Sequence, residues 1–210
     1  MEETIIISLG GSLIVPEEID VEFLKNFKTL ILAHIKQGKK FLVITGGGKI
    51  ARKYQNAAKL ISEPSDAELD ILGIKALNIN AELVRILFKD TKEVNVYGAE
   101  KPGSSTDLGA VLLAQKTGAK NVINLSNIDH VYDSDPKKNP NAQKFEQISW
   151  HDYRNLIPKE WNPGLNSPFD PVASELAEKE KITVVIMNGK PIDNLKQYLN
   201  GEAFQGTIIK

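Results

Sequence analysis

The chain has no cysteine, which excludes disulfides and thiolate chemistry and suits a cytoplasmic setting. It has no charge excess of either sign: 26 Lys and Arg stand against 27 Asp and Glu, a net charge of −1. A nucleic-acid partner, which needs a basic surface, is therefore not expected. No apolar run approaches the ~20 residues of a membrane span. The acidic start, Met1-Glu2-Glu3, opens straight into a strand pattern and is not a signal peptide. Only three histidines occur, His34, His130 and His151, and no pair has metal-ligand spacing, so no protein metal site is expected. No G-x-S-x-G elbow and no G-x-x-x-x-G-K-[ST] loop occurs, which removes a serine hydrolase of that type and a P-loop. What remains is an ordinary globular composition, 41% hydrophobic and 25% charged over 210 residues, enough for one sizeable core.

Short apolar runs alternate with amphipathic stretches. Thr4–Leu9, Phe41–Thr45, Val94–Tyr97, Asn121–Leu125, Ile182–Met187 and Gly206–Ile209 read as strands. Helices are predicted over Asp20–Gln37, Gly48–Leu60, a long stretch ending at Phe88, Asp107–Thr117, Ser149–Leu156, Asp170–Glu180 and Ile192–Leu199. Ser65 with Glu68 forms a capping box for the long one. Asp133–Gln143 reads as a polar loop. The alternation predicts an α/β fold, a three-layer αβα sandwich around a mostly parallel sheet. Ligands in such sheets bind at the carboxyl ends of the strands. The Gly- and Ser-rich segments 10–12, 46–48, 98–106 and 126–135 each follow a strand, so they converge on one edge.

Gly46-Gly47-Gly48-Lys49 opens a helix with Lys49 and Arg52 in its first turn. Cations there oppose the helix dipole, so a bound anion explains them better than helix stability does. A tight turn, a dinucleotide turn and a phosphate cradle are the three readings. The dinucleotide reading requires an acidic residue ending a second strand about 20 residues on, where this chain has a loop and a helix start. Gly10-Gly11-Ser12 is a turn or a second phosphate contact. Pro102 to Asp107 supplies hydroxyls that either cap a helix or bind phosphate. In the segment Ser126 to Pro136, Tyr132 packs or stacks on a base, and Asp129 and Asp135 fix a ribose or close Asx turns.

Together, Leu9-Gly10-Gly11-Ser12-Leu13, Gly46 to Tyr54, Pro102 to Asp107 and Asn127 to Lys138 resemble the amino acid kinase superfamily, and most closely the archaeal-type uridylate (UMP) kinases. The resemblance spans nearly the whole chain. It implies transfer of the ATP γ-phosphoryl to UMP with Mg²⁺ held through the nucleotide phosphates, in a homo-oligomer, usually a hexamer. It implies one domain, with an acceptor-side lobe over about 1–118 and an ATP-side lobe over 119–210. Position by position it implies ATP contacts at Gly11, Ser12, Gly48, Arg52, Ser126, Tyr132 and Asp135. It implies UMP contacts at Gly47, Asp70, Glu100, Lys101, Pro102, Gly103, Ser104, Ser105 and Thr106. Asp170 matches a family aspartate near the phosphates. The chain departs from the family in four places. Ser8 stands where many members carry a lysine, although some archaeal-type uridylate kinases lack it. Asn78 stands for an arginine, His130 for a glycine, and Ser104 and Ser105 for His and Thr.

Phosphoryl transfer to a phosphate acceptor needs in-line placement and charge cancellation, not a strong base. Lys49 is therefore the candidate for the charge that Ser8 lacks, and Lys49 and Asp170 are the candidate catalytic residues. Two alternatives stay open. One is a kinase of the same fold acting on acetylglutamate, carbamate, aspartate or isopentenyl phosphate. The other is a nucleotide-binding regulator or storage protein without catalysis. A nicotinamide-dependent dehydrogenase is a distant further reading.

Overall fold

Why the strands are continuous apolar runs becomes clear from the layers that cover them. The structure is a computed structural model and describes residues 3–99, 105–160 and 167–210. In chain order it runs β1 (Glu3–Leu9), α1 (Gly11–Ile14), α2 (Val21–Ile35), β2 (Lys39–Thr45), α3 (Gly48–Ile61), α4 (Asp66–Leu87), β3 (Val94–Tyr97), α5 (Thr106–Thr117) and β4 (Asn121–Ser126). It continues with β5 (Val131–Tyr132), β6 (Lys144–Phe145), β7 (Gln147–Ile148), α6 (Trp150–Leu156), α7 (Pro171–Lys179), β8 (Thr183–Asn188), α8 (Asp193–Leu199) and β9 (Thr207–Ile209).

Among the described residues, seven strands form one sheet in the order β3-β2-β1-β4-β8-β9-β7. All neighbours are parallel except β8 and β9. Successive strand residues face opposite layers. Ile5, Ile7 and Leu9 join a core with Phe23 and Phe27 of α2, Val84 of α4 and Leu195 of α8. Ile6 belongs to the other core, with Ala110 and Ala114 of α5, Trp150 and Tyr153 of α6, and Ala173 and Ala177 of α7. Both sheet faces are thus buried, which is why alternation is absent from the sequence and why the αβα prediction holds. Phe27, fully buried between Phe23 and Phe88, contributes about 2–3 kcal/mol by its burial.

The capping box at Ser65 and Glu68 is present and starts α4 at Asp66. No strand lies between β2 and α4, so the acidic strand end that a dinucleotide fold requires is missing. Four short elements escape the sequence reading: α1, and the two-residue strands β5, β6 and β7. β5 and β6 pair as a small antiparallel hairpin that brackets the polar loop. No described helix is long and apolar enough to cross a membrane.

Candidate functional site

β1 is central, and the chain turns one way from it to β2 and the other way to β4. The crevice outside the carboxyl ends of β1, β2 and β4 is therefore the switch point where α/β sheets bind ligands. Backbone bonds extend the ladder into the loops. Gly10 N–H donates to Leu125 O at 2.8 Å, and Gly46 N–H donates to Leu9 O at 2.8 Å. The two glycine loops lie backbone to backbone. A Cβ on Gly11 would stand 2.5 Å from both Gly46 O and Gly48 N. Gly48 has φ +58, and a Cβ there would stand 2.4 Å from Gly11 C. Only glycine satisfies both the close approach and the positive φ.

Gly47 caps α3, whose first turn contains no acid. Lys49 is exposed, and its Nζ lies 2.5 Å from Glu17 Oε1, with Lys53 Nζ at 3.4 Å from the other oxygen. The hydrogen bond from Lys49, with its charge, holds the Glu17 carboxyl below the usual range. Arg52 is exposed and makes no ion pair with a described residue. Ser12 lies in α1 beside this loop. Ser105 caps α5 by accepting from Leu108 N at 3.0 Å, and Thr106 Oγ1 lies 3.6 Å from where a Gly46 Cβ would be. The structure thus brings Gly11, Ser12, Gly47, Gly48, Ser105 and Thr106 to one edge. Asp70 is half-buried on α4. Glu100, Lys101, Pro102, Gly103 and Ser104 fall outside the described residues.

On the other side of β1, Ser126 Oγ accepts from Ile128 N at 3.3 Å. Tyr132 is half-buried, its ring edge-on to His130 at 6.3 Å. Asp135 accepts from Lys137 N at 3.0 Å in an Asx turn, and Asp129 from Asn188 Nδ2 at 2.8 Å. These bonds order the loop that carries Tyr132.

The floor of the site is acidic. Asp107 Oδ1 accepts from Ser8 Oγ at 3.3 Å and from Asn124 Nδ2 at 3.2 Å, and its Oδ2 accepts from Asp170 N at 3.2 Å. Asp170 caps α7 through Oδ1, which accepts from Ala173 N at 2.7 Å. Its Oδ2 is buried and has no hydrogen-bond partner among the described residues. Burial, and then the adjacent Asp170 charge, push the Asp107 carboxyl up to about 7. Burial also raises Asp170. Sequence reasoning named Asp170 but missed its pairing with Asp107. The signal was there: Ser8 and Asn124 are polar residues set in otherwise apolar strands, which calls for a buried partner. β1 carries no cation, so none on that strand offsets these two carboxylates.

The Amino acid kinase family profile matches residues 3–99 and 77–188 of the chain. The chain is 31% identical to the uridylate kinase of Thermococcus onnurineus over 98% of this chain and 99% of that one. It is 33% identical to the uridylate kinase of Staphylothermus marinus over 100% and 99%. The crystal structure of uridylate kinase from Archaeoglobus fulgidus superposes with a TM-score of 0.80 at 30% identity, covering 99% of this chain and 100% of that one. The UMP kinase from Bacillus anthracis gives a TM-score of 0.83 at 18% identity over 99% and 96%, a likeness of fold.

Proposed function

The chain belongs to the amino acid kinase family, and from this premise we propose that it transfers the γ-phosphoryl of ATP to UMP, giving UDP. The observation that carries this is the pair of glycine loops meeting backbone to backbone at the switch point, in a chain whose full-length relatives are uridylate kinases. The two phosphate chains meet head to head across Gly11, Gly47 and Gly48. Residues of about 1–118 form the acceptor-side lobe and 119–210 the ATP-side lobe, with the glycine loops of the first shared between the two ligands. Gly11, Ser12, Gly48 and Arg52 hold ATP phosphates, and Ser126, Tyr132 and Asp135 hold its nucleoside. Asp70 and residues 100–106 hold UMP.

The acceptor is already an oxyanion, so the protein's task is alignment and charge cancellation. Backbone N–H groups of the glycine loops cost no reorganisation when charge moves. Lys49 exchanges Glu17 for phosphate oxygens when nucleotide enters. That exchange is cheap, because an exposed ion pair of this kind is screened by solvent and contributes little. Mg²⁺, bound through the nucleotide phosphates, would supply neutralising charge there. Among the described residues no group of three or more His, Cys, Asp or Glu is placed to hold a metal ion.

The exposed apolar residues Ile71, Ile79 and Ile86 of α4 and Leu60 and Ile61 at the end of α3 support the homo-oligomer reading. A hexamer is the assembly implied by resemblance, and a cytoplasmic location suits the soluble nucleotide substrates.

ADP release measured with ATP, Mg²⁺ and a panel of nucleoside monophosphates tests the proposal, with acetylglutamate, carbamate, aspartate and isopentenyl phosphate alongside. UMP turnover well above the others is expected. Turnover of an amino acid and none of UMP overturns the acceptor assignment. The Ser8 substitution favours a second reading, a nucleotide-binding regulator. Tight UTP or ATP binding without any transfer would establish it.

A further inference from the structure

Asn78 lies on α4, half-buried, and spends its whole carboxamide on one backbone residue. Its Nδ2 donates to Ala99 O at 2.9 Å, and Ala99 N–H donates to its Oδ1 at 3.1 Å. This two-way pattern imitates a strand neighbour. The β2–β3 ladder runs out at Ile44 and Tyr97, and two residues later Asn78 takes over the chain.

Gly98 is the second half of the device. Its φ is not in the left-handed region, so conformational need does not explain the glycine. Space does: a Cβ at 98 would stand 1.9 Å from Asn78 Oδ1 and 3.1 Å from its Cγ. The carboxamide can reach Ala99 only because residue 98 has no side chain. Two residues further along α4, on another side of the helix, Asn80 Nδ2 donates to Gly46 O at 2.9 Å. A single rigid helix therefore holds the glycine loop after β2 and the chain leaving β3. These are the stems of the two segments assigned to the acceptor above.

We propose that Asn78, interlocked with Gly98, is the positioning residue of the acceptor side. It fixes where the chain leaves β3 for residues 100–106, and so sets acceptor affinity while leaving the ATP side unchanged. The proposal rests on the kinase reading of the site.

The experiment uses the full-length chain and the acceptor that the wild type turns over best in the panel, or UMP binding by calorimetry if nothing is turned over. Asn78→Asp removes the donor and sets a carboxylate against Ala99 O. Asn78→Ala removes the clamp, and Gly98→Ala blocks it. Each single variant should raise the acceptor KM or Kd about tenfold or more, the usual scale for unpaired buried backbone groups, with ATP affinity within twofold. Gly98→Ala added to Asn78→Ala should cost little more, because the atom it strikes is gone. This double variant keeps the test informative if Gly98→Ala alone folds poorly. Acceptor affinity within twofold of wild type in Asn78→Asp, equal weakening of ATP and acceptor, or additive costs in the double variant would each overturn it. Failure of the kinase reading shows differently, as a wild type that neither turns over nor binds UMP.

Discussion

Replacing Asp107 with asparagine probes the electrostatics of the site floor, and the structure sets its size. The carboxyl titrates at about 7 instead of 3.8, a gap of about three units. Each unit is worth about 1.4 kcal/mol, so ionising Asp107 in the folded protein costs up to about 4 kcal/mol more than in the unfolded chain. The folded pKa is the higher one, so on raising the pH the unfolded chain releases its proton first. Stability from this group is therefore greatest below 3.8, declines between 3.8 and about 7, and is level above that. Asp170, also raised by burial, acts in the same direction. Asparagine cannot ionise. The stability of Asp107→Asn relative to wild type should thus improve by about 2–4 kcal/mol between pH 4 and pH 8. The offset at any one pH is not diagnostic, because an amide at 107 sets its NH₂ against the donor at one of the two oxygens, either Asn124 Nδ2 or the Asp170 backbone N–H. The slope is. Chemical unfolding at five pH values across that range, with denaturant slopes compared, reads it directly. A difference that stays flat from pH 4 to pH 8 would refute a half-buried, charge-coupled carboxylate at 107.

Gly11→Ala should lose about 1–3 kcal/mol of stability and most ATP affinity, since its Cβ would meet backbone at 2.5 Å that has no rotamer to yield. Wild-type melting temperature and ATP binding would mean that the loops part without cost. Lys49→Ala should lower kcat by about 10²–10³-fold if Lys49 supplies the charge missing at Ser8. A kcat within a few-fold of wild type would show that Lys49 stays with Glu17.

Much of the fold was legible because burial on both faces writes itself into composition. Ile5-Ile6-Ile7 and Phe41-Leu42-Val43-Ile44 cannot be anything but covered strands once helices flank them. The α4 start was legible from two residues, Ser65 and Glu68. The glycine loops were legible because glycine after a buried strand has few other uses. α1 and the two-residue strands were not, being shorter than any period.

The sequence by itself determined which residues are chemically suited to phosphate: glycines at strand ends, hydroxyls at 105 and 106, cations at 49 and 52. Only the tertiary structure decided who faces whom. It put Lys49 on Glu17, joined Asp107 to Asp170 across 63 residues, and closed Asn78 on Ala99 through the gap left by Gly98. Propensity and periodicity act over a turn or two of chain. The partner of a charge or a carboxamide is chosen by strand order and helix packing, which no local pattern encodes.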